Sequence, residues 1–184
     1  MEFFEVVKKR YSHKTAFDPQ KKVPEEDLVK IVEAGMAAPS AGNGQSPEFI
    51  IINDEKVLEQ IRQVSDNVPL NTAPALIAVL TRPRARQVLD IATECLIADL
   101  AAATDQMLLA ATALGYCCGW LDSPFVPQEA RTKAEAALGI PPDRMLLLVV
   151  PVGYPAEPGP RRPKKPFEQR ASWNRYAIQR EAQE

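Results

Sequence analysis

The segment from residue 87 to residue 114 constrains the fold more than any other part of this sequence. Its apolar residues occur on most sides of a helix, and Gly115 follows as a C-terminal cap. We predict one helix of about 28 residues, about 40 Å long at 1.5 Å per residue. Acidic residues interrupt the run too often for a membrane span, so we expect no membrane association. They are Asp90, Glu94, Asp99 and Asp105.

A helix that is apolar around most of its girth must be covered by a large core or by another subunit. A chain of 184 residues offers little to cover it, and the alanines at 101–103 would let a second backbone approach closely. We therefore expect a homodimer with this helix at the interface. The alternative is that it forms the central core helix of a monomer.

The remaining pattern predicts a sheet between helices. Continuous runs of Ile, Val and Leu predict buried strands at 49–52, 75–80 and 145–152, with a short strand at 117–121. Helical spacing predicts helices at 2–9, 24–36, 55–65 and 128–138. This order indicates a mixed α/β or α+β core with both sheet faces covered. We expect a single domain over residues 1–184, with 156–184 as an extended basic tail.

Two of these helices also have predicted inward faces. In the first helix we expect Phe3, Val6 and Val7 to point into the core. The second is predicted to start with Pro24 at its first helical position and to bury the apolar face that recurs at helical spacing. The residues of that face are Leu28, Ile31, Val32, Gly35 and Met36.

The scarcity of histidine and cysteine excludes several kinds of site. One histidine, His13, and three cysteines cannot build a multi-histidine or four-cysteine zinc site, and we expect no metal. The neighbouring Lys14 would oppose the imidazolium that a Ser–His–Asp triad needs, which argues against such a triad. We expect a surface role for His13. The adjacent Cys117 and Cys118 are expected to be inert core residues of a cytoplasmic protein.

Positive charge is concentrated at the two ends of the chain. Residues 161–180 hold seven lysines and arginines against one glutamate, and residues 8–14 hold a second basic cluster. Because the termini of a domain are often close together, the two clusters can converge on one anion. The alternative is solvated surface charge. A pI near 5.6 and the absence of a nucleic-acid motif argue against binding to nucleic acid.

Four motifs, taken in order, resemble those of the FMN-dependent nitroreductase family. Lys9-Arg10-Tyr11-Ser12-His13-Lys14 is similar to its N-terminal R-x-S-x-R/K signature. Ala38 to Gln45 (APSAGNGQ) resembles its A-P-S-x-x-N-x-Q loop, and the segment 108–121 resembles the end of its long central helix. Pro151 to Pro155, followed by Arg162 to Pro166, is similar to its last strand and basic C-terminal motif. Together they span the chain from Lys9 to Pro166.

The resemblance implies an α+β fold with a central mixed, mainly antiparallel sheet flanked by helices. It also implies a homodimer with a long interface helix, a domain-exchanged C-terminal tail and FMN at the subunit interface. The FMN phosphate would lie among residues of the two basic motifs. In the C-terminal motif we name Lys164, although the alignment of the tail with the family motif also allows Lys165. These residues are Arg10, Tyr11, Ser12, Lys14, Arg162 and Lys164.

The resemblance also implies which residues contact the rest of the flavin. The loop of the partner subunit would supply Pro39, Ser40, Ala41, Asn43 and Gln45. The alternative for Asn43 and Gln45 is that their side chains satisfy backbone groups of the loop.

Two further positions complete the implied site. Asn71, or else Asn67, would reach the edge of the flavin ring, the alternative being a role in capping a turn. Asp122 and Ser123 replace a glycine-rich turn, and the backbone N–H of Ser123 would face flavin N5 if the turn tolerates a Cβ.

The implied activity is reduction of nitroaromatic, quinone or related small-molecule acceptors by NADH or NADPH in a ping-pong flavin mechanism. Two alternatives remain open. The same fold also serves enoate reduction, reductive dehalogenation and dehydrogenation, although the short chain between Leu80 and the long helix lacks the lid insertion of the deiodinase-like branch. The other alternative is a non-catalytic flavin-binding dimer.

Overall fold

The core of the protein is a four-stranded antiparallel sheet with strand order β1-β2-β4-β3. The computed structural model describes residues 1–81 and 91–178. The strands are β1 (Glu48–Ile52), β2 (Ala75–Thr81), β3 (Cys117–Cys118) and β4 (Met145–Gly153). The apolar runs of the sequence therefore form strands as predicted, and the α+β class is confirmed.

The two central strands explain why their sequences are apolar without alternation. Every residue of β2 is buried, because β2 lies between β1 and β4 and both faces of the sheet are covered. Ile77 and Val79 pack into one core, whereas Leu76, Ala78 and Leu80 pack into a second core on the opposite face.

The first core is covered by α2 (Glu25–Met36) and α5 (Ile91–Ala113). The two helices cross closely at Gly35, where an added Cβ would lie 2.7 Å from Met107 Cγ and 3.2 Å from the Ala103 carbonyl oxygen. By length and composition α5 would also suit a membrane span, but here one face of it packs into the first core and it buries Asp99. Its predicted start at residue 87 lies outside the described residues.

The second core is covered by α3 (Glu55–Arg62), α4 (Val68–Thr72) and α6 (Gln128–Ala137). The sequence pattern predicts α3 and α6 but not α4. Asn67 caps α4 by accepting a hydrogen bond from the Leu70 N–H at 3.1 Å. After α5, Gly115 adopts φ +93° and ends the helix as predicted.

Three expectations about the first two helices are wrong. In α1 (Phe3–Lys9) only Val6 is buried, and Phe3 and Val7 are exposed, because the seven-residue helix presents one side chain to the core of its own chain. Pro24 is the N-cap of α2 and not its first helical residue. Met36, expected inward, is 65% exposed because α2 ends at that residue and turns away from the core.

The N-terminal segment after α1 runs beside the short edge strand β3, and the segment after β4 runs beside this N-terminal segment. Ser12 forms a parallel bridge with Cys118, and the His13 N–H donates to the Cys118 carbonyl oxygen at 2.9 Å. After β4, Pro155 pairs with Phe17, and the Ala156 N–H donates to the Ala16 carbonyl oxygen at 3.0 Å. These contacts bring the basic segment 8–14 and the start of the basic tail together.

Candidate functional site

The first candidate site is a cavity of about 880 Å³ between α1, the segment 10–14 and the tail segment 160–164. Val7, Tyr11, Ser12 and Pro160 form its uncharged lining. The other six lining residues are lysines or arginines, and we call this space the cationic cavity. They are Lys8, Arg10, Lys14, Arg161, Arg162 and Lys164.

No carboxylate balances this charge within the part of the chain that the structure describes. None of the described lining residues is acidic, and none of the six cations forms an ion pair with a described Asp or Glu. Residues of both basic clusters thus line one cavity. Unpaired cations facing one another are unfavourable unless an anion lies between them, so the cavity is suited to a multiply charged anion.

The lining of the cationic cavity distinguishes Lys164 from Lys165. Lys164 lines the cationic cavity, whereas Lys165 is not among its lining residues. Lys8 and Arg161 were missed by sequence reasoning. Their proximity to the motif residues Arg10 and Arg162 in the basic runs was the one signal that pointed to them.

Tyr11 occupies the wall of the cationic cavity. Its hydroxyl lies 3.3 Å from His13 Nδ1 and 3.3 Å from Cys117 Sγ, and the guanidinium of Arg161 lies 4.8 Å from its ring centroid. Burial, followed by the hydrogen bond with Cys117, raises the pKa of Tyr11 to about 12, although Arg161 and the Gly159 backbone act in the opposite direction. The phenol therefore stays protonated at neutral pH.

His13 is fully buried, which contradicts the prediction of a surface position. Residues 12–14 are extended along β3, so successive side chains alternate and His13 points into the core while Lys14 points out. Its Nε2 lies 3.1 Å from the Ala16 carbonyl oxygen, which requires an N–H at Nε2, and Nδ1 then accepts from the Tyr11 hydroxyl. Both ring nitrogens are thus engaged within the fold.

The polar loop 39–47 lies against α5 and is held by a buried carboxylate. Asp99 is 6% exposed, and its two oxygens accept hydrogen bonds from the Ala41 N–H at 2.8 Å and the Ser46 hydroxyl at 2.7 Å. Sequence reasoning treated Asp99 only as an interruption of an apolar helix. The role of Asp99 could not be predicted from nearby residues, because its partner Ala41 lies 58 residues away in the sequence.

The loop has an unusual backbone. Gly42, Asn43 and Gln45 all have positive φ values, of 56°, 57° and 45°. The Gln45 N–H donates to Ser40 Oγ at 2.9 Å, but neither the Asn43 nor the Gln45 side chain bonds to the backbone of the loop within the described residues. Both side chains are exposed, which favours a role in contacting a ligand over the alternative of satisfying loop backbone groups.

Pro39, Ser40 and Gln45 line a separate small cavity of about 110 Å³, together with Asp99. This small cavity and the cationic cavity have no lining residue in common. In the described chain, therefore, the predicted loop residues and the predicted phosphate-binding residues are not brought to one cavity.

The structure distinguishes Asn71 from Asn67. Asn67 uses its side-chain oxygen to cap α4, which is the turn-capping role considered as an alternative. The Oδ1 atom of Asn71 is buried and has no hydrogen-bond partner in the described chain. A buried acceptor without a donor is unfavourable, so Asn71 is the better candidate for contacting a ligand with an N–H group.

Asp122 and Ser123 lie at an exposed turn directly after Leu121, whose backbone pairs with Val149. Ser123 is the first residue of a 3₁₀ turn, Ser123–Phe125, so its N–H has no acceptor within that turn. Neither residue has a positive φ, and the turn therefore accommodates a Cβ at both positions. This leaves a free backbone donor where sequence reasoning expected one.

The adjacent cysteines are not bridged to each other. Cys95, Cys117 and Cys118 all have free thiols. Burial raises the pKa of Cys118 to about 12, so its thiol is protonated and unreactive at neutral pH. This agrees with the prediction of a packing role.

Comparison with known proteins identifies the chain's relatives. The nitroreductase family model matches residues 7–70 and 61–154. A protein of Archaeoglobus fulgidus, provisionally named NADH dehydrogenase/NAD(P)H nitroreductase, is 35% identical over 74% of this chain and 77% of the relative. An iodotyrosine deiodinase of Thermotoga neapolitana is 27% identical over 79% of this chain and 85% of the relative.

A solved structure extends the likeness to three dimensions. The crystal structure of a nitroreductase with bound FMN from Bacteroides fragilis superposes with a TM-score of 0.69 and 28% sequence identity. The match covers 90% of this chain and 94% of that chain. The same arrangement of sheet and helices therefore holds FMN in a relative.

Proposed function

The chain belongs to the nitroreductase family, and on that premise we propose that it is an FMN-dependent oxidoreductase. It uses NADH or NADPH to reduce nitroaromatic, quinone or related electrophilic small molecules. The observation that carries this proposal is the convergence on one cavity, from the two ends of the chain, of six cations that form no ion pair with a described Asp or Glu. This arrangement suits the phosphate of FMN, a dianion with several acceptor oxygens.

The residues present fit that phosphate. Arg10 and Arg162 offer planar donor pairs, Lys14 and Lys164 offer point charges, and Ser12 offers a hydroxyl donor beside them. No described carboxylate competes for these donors. We assign these five residues to the FMN phosphate.

The remaining contacts come from groups that lack partners in the described chain. The orphaned Oδ1 of Asn71 suits an N–H on the edge of the flavin ring. The free backbone N–H of Ser123 suits a ring nitrogen acceptor. The exposed Asn43 and Gln45 side chains of the loop supply further amide contacts.

When bound, FMN supplies the hydride chemistry that the side chains lack, in separate half-reactions with the nicotinamide donor and the acceptor. The role of the chain is to bind and orient, and a side-chain acid or base is not required. His13 is unsuited to proton transfer with a substrate, because it is fully buried and both ring nitrogens are bonded inside the fold.

A homodimer is part of this proposal. The cationic cavity and the loop lie in separate cavities of one chain, so a site that uses both needs the loop of a second chain. The exposed apolar residues Phe3, Phe4 and Val7 on α1, and Ile97 on α5, offer surface for such an interface. Light scattering of the purified protein should give twice the chain mass of 20.3 kDa.

The free thiols of all three cysteines are consistent with a reducing compartment, and we place the protein in the cytoplasm. Fractionation of the source cells with an antibody to the protein tests this placement.

The experiment that tests the function is an absorption spectrum of the purified protein, before and after anaerobic NADH or NADPH. We expect a flavin spectrum that bleaches with at least one donor and returns when a nitroaromatic or quinone is added. Protein that cannot be loaded with FMN would refute the proposal. Bound FMN that neither donor bleaches would instead support a non-catalytic flavin-binding dimer.

Reductive dehalogenation is a second candidate, favoured by the similarity to an iodotyrosine deiodinase. Residues 82–90, where a lid insertion was expected to be missing, lie outside the described residues. Iodide release from iodotyrosine by the reduced protein, faster than reduction of nitroaromatics or quinones, would favour this reaction over the first.

A further inference from the structure

The tail segment that carries half of the cationic cavity has little backbone support. After the Ala156 N–H bond to Ala16, no backbone–backbone hydrogen bond forms in the described chain until Gln169 donates to Pro166. Residues 157–166 are therefore held by side-chain contacts, although Arg161, Arg162 and Lys164 all line the cavity within this stretch.

The closest of those contacts are with Tyr11 and His13. The guanidinium of Arg161 lies over the Tyr11 ring, 4.8 Å from its centroid. Two residues earlier, the tail touches the same pair. A Cβ added to Gly159 would lie 3.2 Å from His13 Nδ1 and 3.4 Å from Tyr11 Cε2.

The Tyr11 ring is itself held in place by His13. Its hydroxyl donates to His13 Nδ1, and His13 is anchored through Nε2 to the Ala16 carbonyl oxygen and through its backbone N–H to Cys118 in β3. His13 also packs edge-on against Phe17, with ring centroids 4.6 Å apart. The ring under Arg161 is therefore part of the rigid core.

We propose that Tyr11 and His13 form a platform that positions the basic tail, so that Arg161, Arg162 and Lys164 face the segment 10–14 before the anion binds. This inference rests on the proposed function, because the anion is the FMN phosphate. Without the platform, an otherwise unsupported segment would have to be ordered at each binding event, which lowers affinity. Tyr11 and His13 are positioning residues, acting through the tail.

The first test compares FMN binding to the full-length apo protein by quenching of flavin fluorescence. We expect Tyr11→Leu and Arg161→Gln each to weaken binding by roughly three- to thirtyfold, the range of cation–π contacts. Tyr11→Phe keeps the ring under Arg161 but loses the hydroxyl that bonds to His13 and to the Gly159 backbone, so it should weaken FMN binding less than Tyr11→Leu does. Arg170→Gln removes the same charge from the tail outside the cavity and is the matched control.

Coupling between the two residues separates positioning from loss of charge. If Tyr11 acts through Arg161, the loss of FMN affinity in the double variant Tyr11→Leu/Arg161→Gln should be smaller than the product of the two single fold-losses. Fully multiplicative effects, or equal losses in Tyr11→Phe and Tyr11→Leu, would overturn the proposal.

Hydrogen exchange without FMN makes the test independent of the proposed function. In the apo protein, Tyr11→Leu should speed amide exchange across 157–164, Tyr11→Phe should speed it less, and Arg170→Gln should leave it unchanged. Unchanged exchange in Tyr11→Leu would refute the platform even if FMN binds as proposed. If the wild-type protein binds no FMN but Tyr11→Leu still exchanges faster than the wild type across 157–164, the proposed function is refuted and the platform is retained.

Discussion

Asp99 offers the sharpest test of how the loop 39–47 is held. It is a buried carboxylate on α5 that accepts one hydrogen bond from the Ala41 backbone and one from the Ser46 hydroxyl, at 2.8 and 2.7 Å. We expect Asp99→Ala to release the loop while leaving the sheet and α5 folded. Ser46→Ala removes one of the two bonds, and Asp99→Asn keeps the shape but removes the charge.

The expected magnitudes follow from these contacts. A hydrogen bond to a charged group contributes about 1.5–3 kcal/mol, but water can replace part of it because the loop is exposed. Removal of the carboxylate also removes the cost of burying it. We therefore expect Asp99→Ala to lower the free energy of unfolding by about 2–3 kcal/mol and Ser46→Ala by about 1 kcal/mol. Asp99→Asn should also cost about 1 kcal/mol, because its amide still serves both partners.

Two assays measure the effect at fixed protein concentration, since the stability of the proposed dimer would depend on it. Urea titration gives the free energy of unfolding, and amide exchange at Ala41 reports the loop directly. A loss of about 2 kcal/mol corresponds to roughly thirtyfold less protection of that amide. Equal exchange at Ala41 in the wild type and in Asp99→Ala would refute the assignment of Asp99 as the clamp.

Three further predictions concern the cavity and the core. Arg10→Ala should weaken FMN binding by roughly ten- to a hundredfold, whereas Arg170→Ala, an equal charge change outside the cavity, should not, as measured by flavin fluorescence. Gly153→Ala should lower the free energy of unfolding by about 1–3 kcal/mol in urea titration, because its Cβ would lie 2.7 Å from the rigid ring of Pro74. Burial raises the pKa of Cys118 to about 12, so the folded chain keeps a proton that the unfolded chain loses near pH 9, and stability should fall as pH rises from about 9. Cys118→Ala should flatten that fall between pH 9 and 10, as followed by urea titration at each pH.

Local patterns in the sequence were enough to predict most of the fold. Runs such as 75–80 predict buried strands, because strands covered on both faces need no polar alternation. The short helix α4 was missed because five residues cannot show a helical period. Its start was nevertheless marked by the capping residue Asn67 and by Pro69 in the first turn.

The site was predictable where motifs were local and unpredictable where contacts were distant. Arg10, Ser12, Lys14, Arg162 and Lys164 line one cavity, as the resemblance implied. The burial of His13 was misjudged because its neighbours are polar and basic. Alternation along an extended segment was the signal that could have placed His13 inward.

Tertiary contacts account for the rest of what was missed. The hydrogen bonds of Asp99 to the loop and the seat of Arg161 on Tyr11 join residues 53 to 150 positions apart, and no sequence pattern encodes such pairings. The exposed face of α1 has a related explanation. Phe3 and Val7 are apolar, but the described part of their own chain does not cover them, as the proposed homodimer would require of residues at its interface.

The central claim is that the cationic cavity holds the phosphate of FMN, and the direct measurement compares FMN with riboflavin, which lacks that phosphate. Binding of both flavins to the apo protein is measured by fluorescence quenching at low and high salt. We expect FMN to bind at least roughly a hundredfold more tightly, because several charge-assisted hydrogen bonds depend on the phosphate. Arg10→Ala should reduce that ratio by weakening FMN binding alone. Equal affinities for FMN and riboflavin in the wild type would contradict the account.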